Sequence, residues 1–454
     1  MLQLDDWLPN GENTYWVGYN DSYDMYASNS SNPIVTSGTI NAYSQVKTQA
    51  IIRWTKRQSG IDSNRIYMTG NSHNGFGCML TAMNMPSEIA CIYPTANPII
   101  YKTQPGNKRE HQFCKTSSNI PTDLLYPGTT NSIKIWDVCD MRTWYRINKP
   151  LGVPYAQSIH GRNDTKAGWI QKFHWFDTLN AYRQGGTWFW DERTHGGGGA
   201  QFTDAETTPD YTRYYSNRSY PAFSYCTLNQ NPGTGDPTDG DPYGAINGYL
   251  DWDDNSISDK ACTYSINCFI KDFYVGGQLD PVQYDVGFTD ITLRRTKKFH
   301  PVDGQTISWT NYGVNGNLLQ SGSFVYNGNL ISLYGIKIKR SGSTLTLTIG
   351  NCKMENGPLG QMSSEHSLKV FPNPLSNSTI ISFSLNESQK VSISIYDLTG
   401  RLVTTLADET MSEGTHQVPW NVTDEYGNEM SAGIYLLRME APNHSEAIQL
   451  SVVK

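Results

Sequence analysis

The sequence lacks the features that define several classes of protein. Its 454 residues contain no run of about 18 consecutive apolar residues, which excludes a membrane-spanning helix. They contain no cluster of Lys and Arg, and the formal net charge is −7, so nucleic acid is not expected as a partner. Eight cysteines are spread along the chain without a CxxC pair, which argues against a zinc site and a dense disulfide scaffold.

The first residues also lack a targeting signal. The segment MLQLDDWLPNGENTYW has neither the basic start nor the apolar centre of a signal peptide. If the protein is nevertheless exported, close cysteine pairs such as Cys262 and Cys268 become candidates for oxidation. The sequence alone does not decide between a disulfide and free thiols at these positions.

The patterns that are present indicate a folded chain of about three domains at roughly 150 residues each. Residues 1–205 alternate strand-like and helix-like segments, which predicts an α/β domain with a mostly parallel sheet. Residues 206–244 are predicted to be a linker or long loop, because NQNPGTGDPTDGDPYG at positions 229–244 is dense in Gly, Pro and Asp. Residues 245–353 and 366–454 consist of short alternating β runs. The predicted fold class is therefore an α/β domain followed by two β-sandwich domains.

One stretch in the first domain, RIYMTGNSHNGFGCML at positions 65–80, carries a chemical signal. A strand-like run leads into Gly70-Asn71-Ser72-His73-Asn74-Gly75, and an apolar helical pattern follows at once. Such a turn lifts a serine hydroxyl clear of its neighbours, and the helix N-terminus directs N–H groups toward a developing oxyanion. Ser72 is thus a candidate nucleophile, and the alternative is an ordinary turn serine.

The partners of an activated serine follow downstream. A nucleophilic serine needs a base, and the base needs an orienting carboxylate. Asp164 lies just after an apolar strand in YAQSIHGRNDTKAGW, and His195 lies in a glycine-rich loop in TWFWDERTHGGGG. The chain order Ser, Asp, His is that of α/β hydrolases. Asp140 and Asp191 remain rival acids, and the alternative for Asp164 and His195 is a structural loop residue.

On these residues the segment 1–205 resembles the α/β-hydrolase superfamily. The resemblance is to secreted esterases of the polyhydroxybutyrate depolymerase and feruloyl esterase type, whose elbows commonly read R-I-Y-x-T-G-x-S-x-G-G. It implies Ser72 as nucleophile, Asp164 as orienting acid and His195 as base. It also implies that the backbone N–H of His73 is one oxyanion donor.

Two features depart from that family pattern. Asn74 stands where the family has a glycine, at a point where strand and helix approach closely. The resemblance also begins late, because LQLDD resembles the end of the fourth strand of such a sheet. We therefore expect an N-terminally truncated hydrolase domain, with a bare sheet edge and without the loop that supplies the second oxyanion N–H.

Several further residues have a functional and a structural interpretation. His160 lies in a buried-looking strand and is expected to be structural, whereas the His73 side chain is expected to be a pocket or surface group. Four tryptophans near the proposed acid and base either line a pocket or pack in the core: Trp169, Trp175, Trp188 and Trp190. Six acids either hold calcium or belong to solvated loops, although their spacing does not match an EF-hand: Asp236, Asp239, Asp241, Asp251, Asp253 and Asp254.

The C-terminal block contains several spaced motifs. LKVFPNPLSNSTIISFSL is followed by SISIYDLTGRLVTTL and SAGIYLLRM, and the chain ends on Lys454. This set resembles the type A C-terminal sorting domain of the type IX secretion system, over residues 366–454. The resemblance implies export across the outer membrane, followed by release or attachment to surface lipopolysaccharide. The alternative is a generic immunoglobulin-like accessory domain.

These observations predict an exported serine hydrolase that cleaves carboxylic esters through an acyl-enzyme. Its substrate is expected to be an ester, either free or polysaccharide-linked, and no metal or organic cofactor is implied. Two alternatives stay open: a serine peptidase of the same fold, and a non-catalytic surface or glycan-binding protein built on a degenerate hydrolase scaffold. The middle β-domain either binds a glycan or acts as a spacer.

Overall fold

The computed structural model describes most of the chain, namely residues 2–101, 109–127, 129–350, 352, 368–371, 373, 375–385, 388–397, 401–442 and 444–453. The chain divides into two compact units, Met1–Met354 and Glu355–Lys454. No helix within the described ranges has the length and apolar character needed to cross a membrane.

Within its described residues, the first unit contains six α-helices and twenty strands. The helices are α1 Tyr43–Lys56, α2 His73–Asn84, α3 Ile135–Val138, α4 Met141–Ile147, α5 Trp169–Tyr182 and α6 Asp204–Thr207, with short 3₁₀ helices at Asn29–Ser31, Tyr211–Arg213 and Asp254–Ser256. The strands are β1 Tyr19–Asn20, β2 Ile40–Asn41, β3 Tyr67–Asn71, β4 Cys91–Thr95, β5 Pro121–Leu125, β6 Ser132–Lys134, β7 Tyr155–Gly161, β8 Gly186–Asp191, β9 Tyr220–Ser224, β10 Gly244–Ile246, β11 Leu250–Trp252, β12 Ser258–Asp259, β13 Thr263–Ile270, β14 Tyr274–Val275, β15 Gln278–Leu279, β16 Val286–Arg294, β17 Thr306–Gly313, β18 Leu318–Val325, β19 Ser332–Lys339 and β20 Ser343–Ile349.

A five-stranded sheet organises the first half of this unit. Its strand order is β10-β8-β7-β4-β3, in which β3, β4, β7 and β8 are mutually parallel and β10 is antiparallel. The crossover from β3 to β4 contains α2, and that from β7 to β8 contains α5, as parallel pairing requires. The carboxyl ends of β3, β7 and β8 therefore lie along one edge of the sheet.

The interior of this half is built from buried strands and helix faces. All six residues of β8 are buried, as expected for a central strand of a parallel sheet covered on both faces. Helix α2 buries every residue from Gly75 to Met83. The four tryptophans with an open interpretation are at most 3% exposed, so they are core residues: Trp169, Trp175, Trp188 and Trp190.

The N-terminal segment differs from the prediction that LQLDD ends a strand. Residues 2–6 form neither helix nor strand. In the described part of the chain, β3 is an outer strand of the five-stranded sheet. The prediction is wrong because Asp6 bonds to residues later in the chain, which the segment itself does not reveal. Its buried carboxylate accepts hydrogen bonds from the Thr14 hydroxyl and from the backbone N–H of Trp16, at 2.7 Å.

Two antiparallel sheets form the second half of the first unit. One has the order β11-β13-β20-β17-β18, with β12 paired to β13, and the other has the order β19-β16-β9. Their inward residues share one hydrophobic cluster that includes Ile266, Leu347, Ile291 and Ile336. Apart from β9, the strands of these two sheets lie in residues 245–353, for which the sequence predicts a β-sandwich.

Residues 206–244 are not a linker between separate domains. Strand β9 within this range is fully buried and pairs with β16 of the second half. Strand β10 begins at Gly244 and pairs with β8 of the parallel sheet, so the chain crosses between the two halves more than once. Residues 225–243, which include the stretch rich in Gly, Pro and Asp, do form a long loop without helix or strand. The linker interpretation fails for the part before it, because β9 is buried by pairing with a strand distant in sequence.

The second unit consists of seven strands within the described ranges. They are β21 Lys369–Phe371, β22 Thr379–Leu385, β23 Gln389–Asp397, β24 Leu402–Met411, β25 Gly414–Trp420, β26 Gly433–Ala441 and β27 His444–Val452. They form two antiparallel sheets, β21-β22-β25 and β24-β23-β26-β27. Ile381, Ile393 and Leu437 are fully buried in their common core.

The disulfide differs from the suggested pairing of Cys262 with Cys268. Cys262 is bonded to Cys352, with the Cα atoms 5.6 Å apart, and Cys268 is a buried free thiol. Cys268 lies in β13, and Cys262 immediately precedes that strand. Six extended residues span about 20 Å, which is far beyond disulfide reach.

We expect Cys262→Ala to lower the free energy of unfolding of the first unit by about 2–4 kcal/mol, because the unfolded chain regains the entropy of a long loop. The two cysteines are 90 residues apart. Urea unfolding followed by tryptophan fluorescence measures the change. Reductant should lower the midpoint of the wild type to that of the variant and leave the variant unchanged. A wild-type midpoint insensitive to complete reduction would contradict the prediction.

Candidate active site

Ser72 occupies a sharp turn between β3 and α2. Strand β3 ends at Asn71 and α2 begins at His73. Ser72 between them has φ 53° and ψ −119°, a region that costs a non-glycine residue free energy and persists only where the surroundings enforce it. Its backbone N–H donates to the carbonyl of Thr95, at the end of β4, over 2.8 Å. The strained backbone is therefore fixed from the neighbouring strand.

Two glycines make the turn possible. A Cβ atom on Gly70 would lie 2.2 Å from the carbonyl oxygen of Asn74, and one on Gly75 would lie 2.8 Å from Cβ of Asn97. Asn74, which replaces a glycine of the family pattern, is itself exposed to solvent. The close approach of strand and helix thus falls on Gly70 and Gly75, and the asparagine side chain is accommodated outside it.

The three residues in the predicted order meet at the sheet edge. Ser72 Oγ lies 2.8 Å from His195 Nε2, and His195 Nδ1 lies 2.8 Å from Asp164 Oδ2. Asp164 follows β7 and His195 follows β8, so parallel pairing brings both loops beside the turn after β3. The Asp164 side chain is 3% exposed, whereas that of His195 is 30% exposed. This arrangement can transfer a proton from the serine hydroxyl to the imidazole.

The second oxygen of Asp164 is bonded within its own loop. Asp164 Oδ1 accepts the backbone N–H groups of Lys166 at 2.8 Å and Ala167 at 2.9 Å. Such bonds stabilise the ionised carboxylate and leave its other oxygen for the imidazole.

The rival acids are bonded elsewhere. Asp140 pairs with Arg142 at 2.7 Å, and Asp191 pairs with Arg193 at the same distance. Asp191 also accepts the backbone N–H of Gln201 at 2.9 Å and so shapes the loop that carries His195. Asp164 is thus the acid that lies against His195.

The His73 backbone N–H lies at the first position of α2, where N–H groups have no acceptor within the helix. The side chain of His73 is held by Asp6, a residue that the sequence patterns did not single out. His73 Nε2 lies 3.0 Å from Asp6 Oδ2, and the ring of Tyr15 packs edge-on against the imidazole with centroids 4.8 Å apart. The Asp-Asp pair of LQLDD was the available signal, but it carried no information on its distant partner.

Two buried basic groups lie behind the site. His160 is fully buried in β7, its Nε2 lies 2.9 Å from Ser158 Oγ, and burial lowers its pKa well below the usual value, with Lys172 and Arg193 adding to the effect. These contacts agree with the structural interpretation. Lys172, which the sequence analysis did not single out, is 1% exposed, and burial lowers its pKa to about 7.

The six acids with an open interpretation are bonded to protein groups. Asp251 and Asp254 both pair with Arg213, at 2.8 and 2.6 Å. The other four accept backbone N–H groups of nearby loop residues: Asp236, Asp239, Asp241 and Asp253. Within the described ranges, no group of three or more His, Cys, Asp or Glu side chains is arranged to hold a metal ion.

Comparison with known families identifies the C-terminal unit. Residues 369–454 match the secretion system C-terminal sorting domain. The protein is therefore a cargo of type IX secretion, which exports it to the cell surface or the medium, and the secretion machinery is its partner. The sequence prediction of this export route is confirmed.

The remaining comparisons do not identify the first unit. A search of curated proteins gave no match. Among solved structures, FLGD from P. aeruginosa is 20% identical over 20% of this chain and 74% of its own, with a TM-score of 0.15. PorZ of the type IX secretion system of Porphyromonas gingivalis is 18% identical over 37% of this chain and 21% of its own, with a TM-score of 0.16. An FMN-binding β-glucuronidase from Faecalibacterium prausnitzii is 12% identical over 37% and 32%, with a TM-score of 0.16. Similarities this low carry no argument about fold or activity.

We expect Gly70→Ala to disrupt the turn that carries Ser72, because the new methyl group would meet a backbone carbonyl at 2.2 Å. The reactivity of Ser72 toward a phosphonate probe should fall by roughly 100-fold or more, as expected for a displacement near 1 Å. Gly196→Ala is the matched control in the His195 loop, since its Cβ would meet nothing within 4 Å. Equal loss in both variants would contradict this explanation.

Proposed function

We propose that the first unit is a serine hydrolase of the α/β-hydrolase type that cleaves carboxylic esters. The observation that supports it best is the chain of two 2.8 Å contacts from Ser72 through His195 to Asp164. The strand order β3-β4-β7-β8 also agrees with this assignment, because nucleophile, acid and base follow β3, β7 and β8 in turn. Together with the sorting unit, this makes the protein an exported esterase.

In the proposed acylation step, Ser72 Oγ attacks the acyl carbon while His195 Nε2 takes the hydroxyl proton. Asp164 remains ionised and holds the imidazole in the tautomer that accepts at Nε2. The negative oxygen of the tetrahedral intermediate accepts a hydrogen bond from the His73 backbone N–H. Collapse of the intermediate breaks the ester C–O bond, and His195 returns its proton to the departing alcohol.

In the proposed deacylation step, water replaces the alcohol. His195 removes a proton from the water as its oxygen attacks the acyl carbon of the ester on Ser72. Collapse releases the carboxylic acid and returns the proton to Ser72 Oγ, so the enzyme ends in its starting state. Every proton transfer passes through His195 Nε2.

The exposure of the site bears on the class of substrate. His195 is 30% exposed, and Asn71 and Asn74 on either side of the serine turn are exposed. An imidazole this accessible can be reached by an ester attached to a large molecule, which suits an exported enzyme. We therefore favour an ester carried on a polysaccharide over a small soluble ester.

The test is reaction with a fluorophosphonate probe, followed by mass-spectrometric location of the adduct. We expect the adduct on Ser72 and its loss in Ser72→Ala, while Ser59→Ala, at an exposed serine, retains it. Turnover of p-nitrophenyl esters should fall roughly 10⁴-fold or more in Ser72→Ala and about 10⁴-fold in Asp164→Asn.

Two results would reject the ester-hydrolase proposal. Faster turnover of p-nitroanilide peptides than of matched esters would indicate a peptidase with the same triad. Absence of any adduct on a folded wild-type chain would indicate a non-catalytic protein, for which glycan binding unaffected by Ser72→Ala is the positive test.

A further inference from the structure

Lys172 is a buried basic residue. It lies in the first turn of α5 and is 1% exposed. Its Nζ atom donates hydrogen bonds to the backbone carbonyls of Asn97 at 2.5 Å and Ala167 at 2.9 Å. Burying an ammonium group is costly, and burial accordingly lowers the pKa of Lys172 to about 7, so the side chain is mostly protonated only below that pH.

The first of these carbonyls belongs to the segment that supports the nucleophile. Thr95, two residues before Asn97, accepts the backbone N–H of Ser72 at 2.8 Å. Asn97 also contacts the start of α2, because a Cβ atom added to Gly75 would lie 2.8 Å from the Cβ atom of Asn97. A shift of this segment would therefore move the serine turn.

The second carbonyl belongs to the loop that carries the acid. Ala167 donates its backbone N–H to Asp164 Oδ1 at 2.9 Å while its carbonyl accepts from Lys172. A shift of Ala167 would therefore move the carboxylate that lies against His195. Lys172 thus bonds to both segments at once, one behind the nucleophile and one behind the acid.

The neighbouring residue on the helix strengthens the same connection. Gln171 Oε1 accepts the backbone N–H groups of Ile99 at 3.0 Å and Ile100 at 2.9 Å. Its side chain is also buried, at 4% exposure. The first turn of α5 therefore holds the segment after β4 at two points, but only Lys172 extends the contact to the acid loop.

We propose that Lys172 is a positioning residue that sets the distance and orientation of Asp164 relative to Ser72. This inference rests on the proposed hydrolase function. Lys172 touches neither substrate nor reacting atoms and acts through the two carbonyls and through the electric field of its charge on Asp164. Its position in the first turn of α5 lets one buried side chain reach both segments.

The charge gives the proposal a signature in pH dependence. The titratable groups that face Lys172 are Asp164, which raises its pKa, and His160, whose pKa it lowers. Arg193 also lowers the pKa of His160. Below about pH 7, protonated Lys172 places a positive charge behind the Asp164–His195 pair. A variant without the lysine lacks that positive charge, so the acid limb of its pH profile is expected to move to higher pH.

The experiment compares three variants of the full chain. Lys172→Met removes the charge and both bonds, and Lys172→Gln removes the charge but keeps an N–H donor. Lys149→Met changes an exposed lysine that lies before β7, outside the loops that carry the triad. The readouts are the rate of fluorophosphonate reaction at Ser72, kcat and KM for an ester, and the pH profile of kcat/KM. The downfield proton resonance of the His195–Asp164 hydrogen bond is a further readout that needs no turnover.

We expect Lys172→Met to lower kcat by roughly 10- to 100-fold with little change in KM, as for a small misplacement of catalytic groups. The acid limb of its pH profile should move to higher pH, and the downfield resonance should shift or broaden. Lys172→Gln should show the same shift of the acid limb with a smaller loss of kcat. Lys149→Met should match the wild type in all four readouts.

Three outcomes would overturn the positioning role. One is a wild-type kcat and acid limb in Lys172→Met. Another is a loss of kcat with neither the acid limb nor the downfield resonance altered, which would indicate general destabilisation. The third is unfolding of both Lys172 variants, which would make the lysine a support of the whole unit. If the wild type itself shows no reaction with the probe, the hydrolase proposal fails first, and the downfield resonance still tests whether Lys172 orders the Asp164–His195 pair.

Discussion

The close passage of β3 and α2 is the constraint on which the site depends. The two elements approach so tightly at Gly70 and Gly75 that neither position has room for a Cβ atom. A chain reversing direction in that space drives Ser72 to positive φ, and the bond to the Thr95 carbonyl holds it there. The hydroxyl then projects from the sheet edge, where the loops after β7 and β8 already converge. The parallel strand order therefore brings Ser72, Asp164 and His195 together, and the turn orients the Ser72 hydroxyl.

Local sequence patterns were sufficient to predict the turn that carries Ser72. Strand, glycine turn and helix follow one another within sixteen residues, so their meaning survives without knowledge of the rest of the chain. The same holds for the C-terminal unit, whose spaced motifs predicted the export route that the family match confirms. In both segments the residues that define the motif lie close together in sequence, which makes the motif recognisable in isolation.

The predictions that failed all concern partners distant in sequence. Cys262 bonds to a cysteine 90 residues away, β9 is buried by pairing with β16, and Asp6 reaches His73 on another element. In each case the residues next to one partner in sequence do not indicate where the other partner lies. Strand β9 was therefore assigned to a linker together with the Gly-rich loop that follows it, although its backbone belongs to a sheet.

The loops at the sheet edge are held by buried charge, which explains how a partly exposed site stays ordered. Arg162 donates to the carbonyl of Asp241 at 2.7 Å, Asp191 binds Arg193, and Lys172 joins two loops from below. Each such group would lose hydrogen bonds if its loop moved, and an unpaired buried charge costs more than an unpaired neutral group. The loops consequently have few alternative conformations of similar free energy. His195 can therefore remain 30% exposed to solvent and still lie within hydrogen-bonding distance of both Ser72 and Asp164.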